Sequence, residues 1–373
     1  MKKRIVFITG TRADFGKIKS LVNRLLSSSD HEVHIFVTGM HMLSKYGYTC
    51  DEVEKCDYKN IYKYINQNQN DTMDTVLAKT ISGFSDYIKE IKPDMVVVHG
   101  DRVEAMACAL VGSLNNILIA HIEGGEVSGT IDELIRHSVS KLSQLHFVSN
   151  DEAKKRLIQL GENVNTIYTI GSPDMDIMNS ETLPTVNEVK SYYNIEFEKY
   201  AILLFHSVTT ETDGLQVQCR TLVKSLIKSD ENYVVIYPNN DHGSDIILEE
   251  YKALNSKKKF KIFPSMRFEY FLTLMKNAEF VIGNSSAGVR EAPYYGVPSI
   301  SIGNRQKNRV ESPSIINIDF DIHDTLASIE RAKTMPREMM AHFGNGGSDI
   351  QFCDILNSEE TWQTSSQKYF IDM

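Results

Sequence analysis

The sequence predicts an α/β protein built from two doubly wound units of the Rossmann type. Three observations carry this: a length of 373 residues, two series of short apolar β-branched runs separated by helical stretches, and a turn-rich pause between the series. One domain averages roughly 150 residues, so this length calls for two or three. Near-continuous apolar strands alternating with helices imply parallel strands covered on both faces. The first series reads as strands at 4–9, 34–38, 95–99, 117–122, 146–149 and 166–170. The second reads as strands at 201–205, 233–237, 260–263, 280–282 and 299–302. Between them, Gly171-Ser172-Pro173 through Leu183-Pro184 gathers turn residues. The expected division is 1–172, 173–355 and a C-terminal segment 356–373. That last segment, with a helix over 359–369 behind the glycines 344, 346 and 347, is expected to pack back on the N-terminal domain. The two domains are expected to face each other across a cleft.

Composition narrows the function classes. With 42% apolar and 24% charged residues the chain falls in the globular range. A net charge of −9 argues against a nucleic-acid surface. No apolar run approaches the ~18 residues that span a bilayer. The basic start MKKRIVFITG reads as a strand rather than a signal peptide, because charge returns at Arg12, Asp14 and Lys17 without a small-residue cleavage site. Five scattered cysteines form neither a C-x-x-C pair nor a zinc spacing. Reduced thiols in a cytoplasmic protein are expected, with no metal and no cofactor.

Ligands of open parallel sheets bind beyond the carboxyl ends of the strands, and those ends are rich in glycine and ionisable groups here. The first strand runs into Gly10-Thr11-Arg12-Ala13-Asp14-Phe15-Gly16. Its glycines admit a ligand to the backbone, and Arg12 offers a planar fork for phosphate oxygens; a plain turn with a solvated Arg12 is the other reading. The segment is neither G-x-G-x-x-G nor a Walker loop. In the second half, 280–282 leads into Gly283-Asn284-Ser285-Ser286-Ala287-Gly288 and then Val289-Arg290-Glu291-Ala292. Strand, small-residue loop and helix make an anion site, with Ser285 and Ser286 as hydroxyl donors. Glu291, roughly 7.5 Å along a helix axis, would reach ribose hydroxyls. Alternatively Ser285 merely caps the helix.

Three carboxyls gather at strand ends of the first half. Asp101 follows the run 95–99 in His99-Gly100-Asp101-Arg102, Glu123 follows the next strand, and Asp132 opens a helix. Crowded carboxyls raise one another's pKa, which suits an acid and a base near neutrality. Thr130-Ile131-Asp132-Glu133 also has the capping-box pattern, and Arg136 at i+4 is spaced to pair with Asp132. Arg102 is placed to neutralise Asp101. Among the strand-end histidines 99, 121 and 206, His206 is the best functional candidate, since it ends the first strand of the second domain. The loops Tyr237-Pro238-Asn239-Asn240-Asp241 and Pro264-Ser265-Met266-Arg267-Phe268 offer groups for a base edge or a sugar, or are ordinary turns.

Taken in order, GTRADFGK, HGDR, HIEGGEVSGTIDELIRHS, FHSVTTE, YPNND, FPSMRFEYF, GNSSAGVREAPYYGVPSI and GNRQ resemble the hydrolysing UDP-N-acetylglucosamine 2-epimerases, especially the bacterial enzymes of sialic acid synthesis. The resemblance runs from about residue 4 to 305. It implies the GT-B architecture, Asp101, Glu123 and Asp132 as catalytic carboxylates with His206 beside them, and no cofactor. It also implies nucleotide-sugar contacts from Arg12, His206 (counted with the catalytic set as well), Asn240, Ser285, Ser286 and Glu291, with Arg305 near the diphosphate. Asp14, Arg102, Ser265 and Arg267 are counted with the substrate-binding groups. Ser207 departs from the proline that several relatives place there. The implied partners are a UDP-sugar, UDP and further copies of the chain in a dimer or tetramer. Alternatives are a hydrolysing 2-epimerase of UDP-2,4-diacetamido-2,4,6-trideoxyglucose on the legionaminic acid route, a GT-B glycosyltransferase, and a silent nucleotide-sugar sensor.

Overall fold

A computed structural model describes residues 2–28, 30–68, 71–128, 130–208, 212–306 and 309–371. Gly129 and the segment Thr209-Thr210-Glu211 of the motifs above lie outside the described residues. The chain forms two units: Met1–Glu126 with Asp132–Glu181 and Phe343–Met373, and Val127–Ile131 with Thr182–His342.

The first unit is built on seven parallel strands: β1 (Lys3–Thr9), β2 (His31–Val37), β3 (Ile61–Lys63), β4 (Met95–His99), β5 (Leu118–Ile122), β6 (Leu145–Val148) and β7 (Ile167–Thr169). Their order is β3-β2-β1-β4-β5-β6-β7. The second unit holds β8 (Ala201–Leu204), β9 (Tyr233–Ile236), β10 (Phe260–Phe263), β11 (Val281–Gly283), β12 (Ser299–Ile302) and β13 (Ile315–Ile318), ordered β10-β9-β8-β11-β12-β13. Both sheets thus follow the doubly wound order 3-2-1-4-5-6, whose ligand crevice lies where the winding reverses. That switch point falls between β1 and β4 in one sheet and between β8 and β11 in the other. β3 and β13 lie outside the expected runs. Both are sheet edges, and β3 is three residues long with two of them exposed, so neither shows the continuous apolar run that marks a central strand.

The helix Arg12–Ser27 shows how sequence sets the local structure. Thr11 and Asp14 form a reciprocal capping box at its start. Phe15, Ile18, Leu21, Val22 and Leu25 then recur at i, i+3 and i+4 and are buried under the sheet. Each such side chain contributes roughly 1.5–3 kcal/mol of hydrophobic stabilisation. The same core takes in Phe352 and Leu356 of the helix Ser348–Asn357. Asp176 caps that helix, accepting from Ser348 N at 2.9 Å and Asp349 N at 3.0 Å.

These contacts move the boundaries from 172/173 and 355/356 to 181/182 and 342/343. The helices Asp174–Met178 and Ser348–Asn357 both pack on Arg12–Ser27, which ties them to the first sheet. The helix expected over 359–369 is confined to Glu359–Trp362. The Ser/Thr-rich stretch beyond it is a poor helix former. Its backbone instead bonds to the turn just before β6, with Gln144 Nε2 donating to Ser366 O at 2.9 Å.

Candidate active site

In the first unit, β1 and β4 end on either side of the switch point. Asp14 accepts from Gly10 N at 3.0 Å and Thr11 N at 3.1 Å, so its carboxylate shapes the loop that carries Arg12. Thr9 Oγ1 joins the same network and receives His41 Nε2 at 2.9 Å. His41 is fully buried, and burial pulls its imidazole down to about 4, so it stays neutral. Gly10 and Gly39 close on the buried Glu104; a Cβ at Gly39 would meet Gly10 O at 2.6 Å. Arg12 stands 4.0 Å from Glu52.

The acids converge through a cation that the sequence places elsewhere. Arg136 is only 3% exposed. Its Nη2 donates to Asp101 Oδ2 and its Nη1 to Glu126 O at 3.3 Å. Burial alone would push the guanidinium pKa down, but Asp101 first, then Glu126, Asp132 and Glu123, hold it above its ordinary value. One side chain therefore senses the field of all three carboxyls singled out above. Arg136 is buried rather than a surface partner of Asp132, and Arg102 Nε stands 3.9 Å from Glu104 Oε2.

Glu123 sits just past β5 with φ +63, a left-handed conformation that costs a β-carbon residue ~1–3 kcal/mol and clusters at functional sites. Its N–H donates to Phe147 O at 2.9 Å, which turns the side chain back over the strand ends. There the carboxylate meets Lys17 Nζ at 3.7 Å, His99 Nε2 at 3.3 Å and the Ser172 hydroxyl. Lys17 also lies 3.2 Å from the fully buried Asp174. Lys17, His99, Arg136, Ser172 and Asp174 thus join the candidate site through their contacts, none of them being singled out for it by the sequence. Lys17 closes the motif GTRADFGK and His99 precedes HGDR's glycine, so both were in view without a spacing rule to pick them.

In the second unit the switch point is organised by Asn284. Its Oδ1 accepts from His206 N at 2.7 Å and its Nδ2 donates to His206 O at 2.8 Å. Its carbonyl accepts from Arg305 Nη1 at 3.2 Å and Gln306 Nε2 at 3.0 Å. Asn239 N–H donates to His206 Nδ1 at 3.1 Å, so a neutral His206 carries its proton on Nε2. His206, the Asn239-Asn240 loop, the Asn284–Ser286 loop and Arg305 are thereby brought together. Gly283 has φ +137, and a Cβ there would meet Leu204 O at 1.9 Å, so only glycine passes between β8 and β11.

The helix expected after this loop is reduced to short turns. Ser286–Gly288 is one 3-10 turn, with Ser285 Oγ accepting from Ala287 N at 3.4 Å. The helix that begins at Glu291 ends at Tyr294, before Gly296 at φ +65. A single turn carries little dipole, which leaves loop N–H groups and hydroxyls, rather than a macrodipole, as the polar groups at this loop. Glu291 itself is buried. Ser265 and Arg267 follow β10, the outer strand, two positions along the sheet from β8. Arg267 lies over the rings of Tyr192 and Tyr270, 5.2 and 5.5 Å from their centroids.

Among the described residues, no group of three or more His, Cys, Asp or Glu side chains is placed to hold a metal ion, and no helix is long and apolar enough to cross a membrane.

Two parallel sheets of one Rossmann order, each with its polar groups at the switch point, define an α/β protein of the GT-B class. The chain belongs to the UDP-N-acetylglucosamine 2-epimerase family, whose model matches residues 23–357. It is 49% identical over 375 residues to the UDP-N-acetylglucosamine 2-epimerase of Neisseria meningitidis serogroup B, covering 100% of this chain and 99% of that one. It is 36% identical to polysialic acid biosynthesis protein P7 of Escherichia coli, over 86% of this chain and 83% of the relative. The UDP-N,N'-diacetylbacillosamine 2-epimerase (hydrolyzing) of Legionella pneumophila is 30% identical, with 96% of each chain covered. The fold is shared with the crystal structure of the Methanocaldococcus jannaschii UDP-GlcNAc 2-epimerase in complex with UDP-GlcNAc and UDP. The TM-score is 0.78 at 23% identity, covering 95% of this chain and 99% of that one.

Proposed function

We propose that this enzyme hydrolyses UDP-N-acetylglucosamine and inverts C2, releasing UDP and N-acetylmannosamine through a 2-acetamidoglucal, in the cytoplasmic synthesis of sialic acid. The observation that carries the reading is the set Asp101, Glu123 and Asp132 within the field of one buried arginine at the switch point of the first sheet. In the first stage a base takes the C2 proton while UDP leaves C1. Water then adds at C1 and a proton returns to C2 from the other face, which requires a second, differently placed group. Positive character at C1 calls for a carboxylate nearby. Three acids therefore have work, and Glu123 and Asp132 are assigned to the second stage. His206, Ser285, Ser286, Arg305 and Arg12 are assigned to the nucleotide and diphosphate, with Asn240, Arg102, Ser265 and Arg267 as further contacts. Asp14 acts by shaping the Arg12 loop. Chemistry at C1 and C2 needs no cofactor. Glu291 is assigned to the ribose hydroxyls; Glu291→Ala is expected to weaken UDP binding by roughly 1.5–3 kcal/mol, the worth of a hydrogen bond to a charged group. Titration calorimetry with UDP checks this, and unchanged affinity would break the ribose assignment.

A second reading is favoured by the Legionella relative: the same reaction on a UDP-2,4-diacetamido-2,4,6-trideoxyglucose. The 49% identity to the Neisseria enzyme, against 30% here, supports N-acetylglucosamine. Comparing kcat/KM for the two UDP-sugars without any acceptor tests both. Free N-acetylmannosamine and a preference for UDP-N-acetylglucosamine are expected; a preference on the order of a hundredfold for the diacetamido sugar, about 3 kcal/mol of discrimination, would replace the substrate.

A further inference from the structure

His121 lies on β5, two residues before Glu123, and is fully buried. Its Nε2 is 2.8 Å from Gly100 O and its Nδ1 is 3.0 Å from Ser140 Oγ. A carbonyl only accepts, so Nε2 carries the proton and Nδ1 accepts from the serine hydroxyl. Burial draws the imidazole down to about 3, so the ring is neutral and one tautomer persists across the working range.

Its two partners belong to the carriers of the other acids. Gly100, at φ +69, is the turn residue that immediately precedes Asp101. Ser140 lies on the helix Ile131–Leu142 at i+4 from Arg136 and i+8 from Asp132, so the three share one helix face. That face is fastened to the β4 turn at two points: Arg136 donates to the Asp101 carboxylate, and Ser140 reaches the Gly100 carbonyl through His121. The fit is close. A Cβ on Gly124 would come within 2.9 Å of both His121 Nδ1 and Ser140 Oγ.

We propose that His121 is a positioning residue that fixes the turn of Asp101, the strand end of Glu123 and the helix of Asp132 relative to one another. This rests on the reading of those three acids as the proton-transfer groups. A core histidine that only fills space would affect stability and nothing else. A positioning histidine affects the balance of the two stages, because a glycal not met by a correctly placed acid leaves before water adds.

The test uses the full chain with UDP-N-acetylglucosamine and the variants Ser140→Ala, Gly124→Ala, His121→Leu and His121→Gln. Turnover, KM, melting temperature and the ratio of free 2-acetamidoglucal to N-acetylmannosamine are measured for each. Ser140→Ala, Gly124→Ala and His121→Leu are expected to lower kcat by about tenfold or more, since displacements near 1 Å cost up to 10²-fold. KM should stay near the wild-type value and the fraction of free glycal should rise. His121→Gln, which retains a donor toward Gly100 O and an acceptor toward Ser140, should recover much of the loss. If His121→Leu does not fold, Ser140→Ala and Gly124→Ala decide. Folded variants with wild-type kcat and no free glycal, whatever their melting temperatures, would overturn the proposal while leaving the function intact. A wild-type chain that converts no UDP-N-acetylglucosamine would instead overturn the reading beneath it.

Discussion

Asp101→Asn, Glu123→Gln and Asp132→Asn are each expected to lower kcat by ~10²–10⁴, the usual worth of a positioned acid or base, while UDP binding persists. The substitutions keep shape and remove only the exchangeable charge. Their side effects should differ because their surroundings differ. Asp101 is about a quarter exposed and bonded to the buried Arg136, so its amide deprives that guanidinium of its nearest counter-charge while staying partly hydrated itself. Glu123 is buried against Lys17, His99 and Ser172. There an amide sets a donor against an ammonium, and Glu123→Gln should also lose about 1–3 kcal/mol of stability. Rapid-quench turnover and UDP titration on the three proteins check this. Near-wild-type turnover in any of them would remove that residue from the proton-transfer scheme.

Arg136→Met should be the most damaging single change outside the acids. The arginine is the buried counter-charge nearest Asp101, and removing one partner of a buried pair costs about 3–5 kcal/mol. It also takes away the cation whose charge Asp101, Glu126, Asp132 and Glu123 all act on. Their mutual repulsion should then raise at least one carboxyl pKa and displace the others, at a cost of ~10² or more in turnover. Arg136→Lys should restore part of the stability and little of the rate, since an ammonium lacks the fork that reaches Asp101 and Glu126 together. Denaturant melts alongside pH–rate profiles check both statements. A stable, fully active Arg136→Met would mean that the acids need no common counter-ion.

Much of this was legible in the sequence because buried parallel strands write themselves as apolar β-branched runs, and because their carboxyl ends are where ligands gather. The runs 95–99, 260–263 and 299–302 coincide with β4, β10 and β12. The edge strands β3 and β13 escaped because half-exposed edges lose that signature. The helix behind Ser285 is shorter than its sequence suggests: residues 283–294 satisfy a strand-loop-helix pattern, yet Gly288, Pro293 and Gly296 cut it to single turns. Arg136 was seen only as a neighbour of Asp132, since i+4 spacing is visible in one dimension and the β4 turn beside it is not. Lys17, Asp174 and Asn284 act through contacts across 106, 157 and 78 positions, from Lys17 to Glu123, Lys17 to Asp174 and His206 to Asn284. No local pattern reports such distances.

The proton that leaves C2 and the one that returns are the centre of the account. Proton NMR of the reaction in heavy water with UDP-N-acetylglucosamine follows them directly. Free N-acetylmannosamine fully deuterated at C2, accompanied by stoichiometric UDP, is the predicted result. Product that keeps its C2 hydrogen, or UDP-N-acetylmannosamine that never loses its nucleotide, would contradict it.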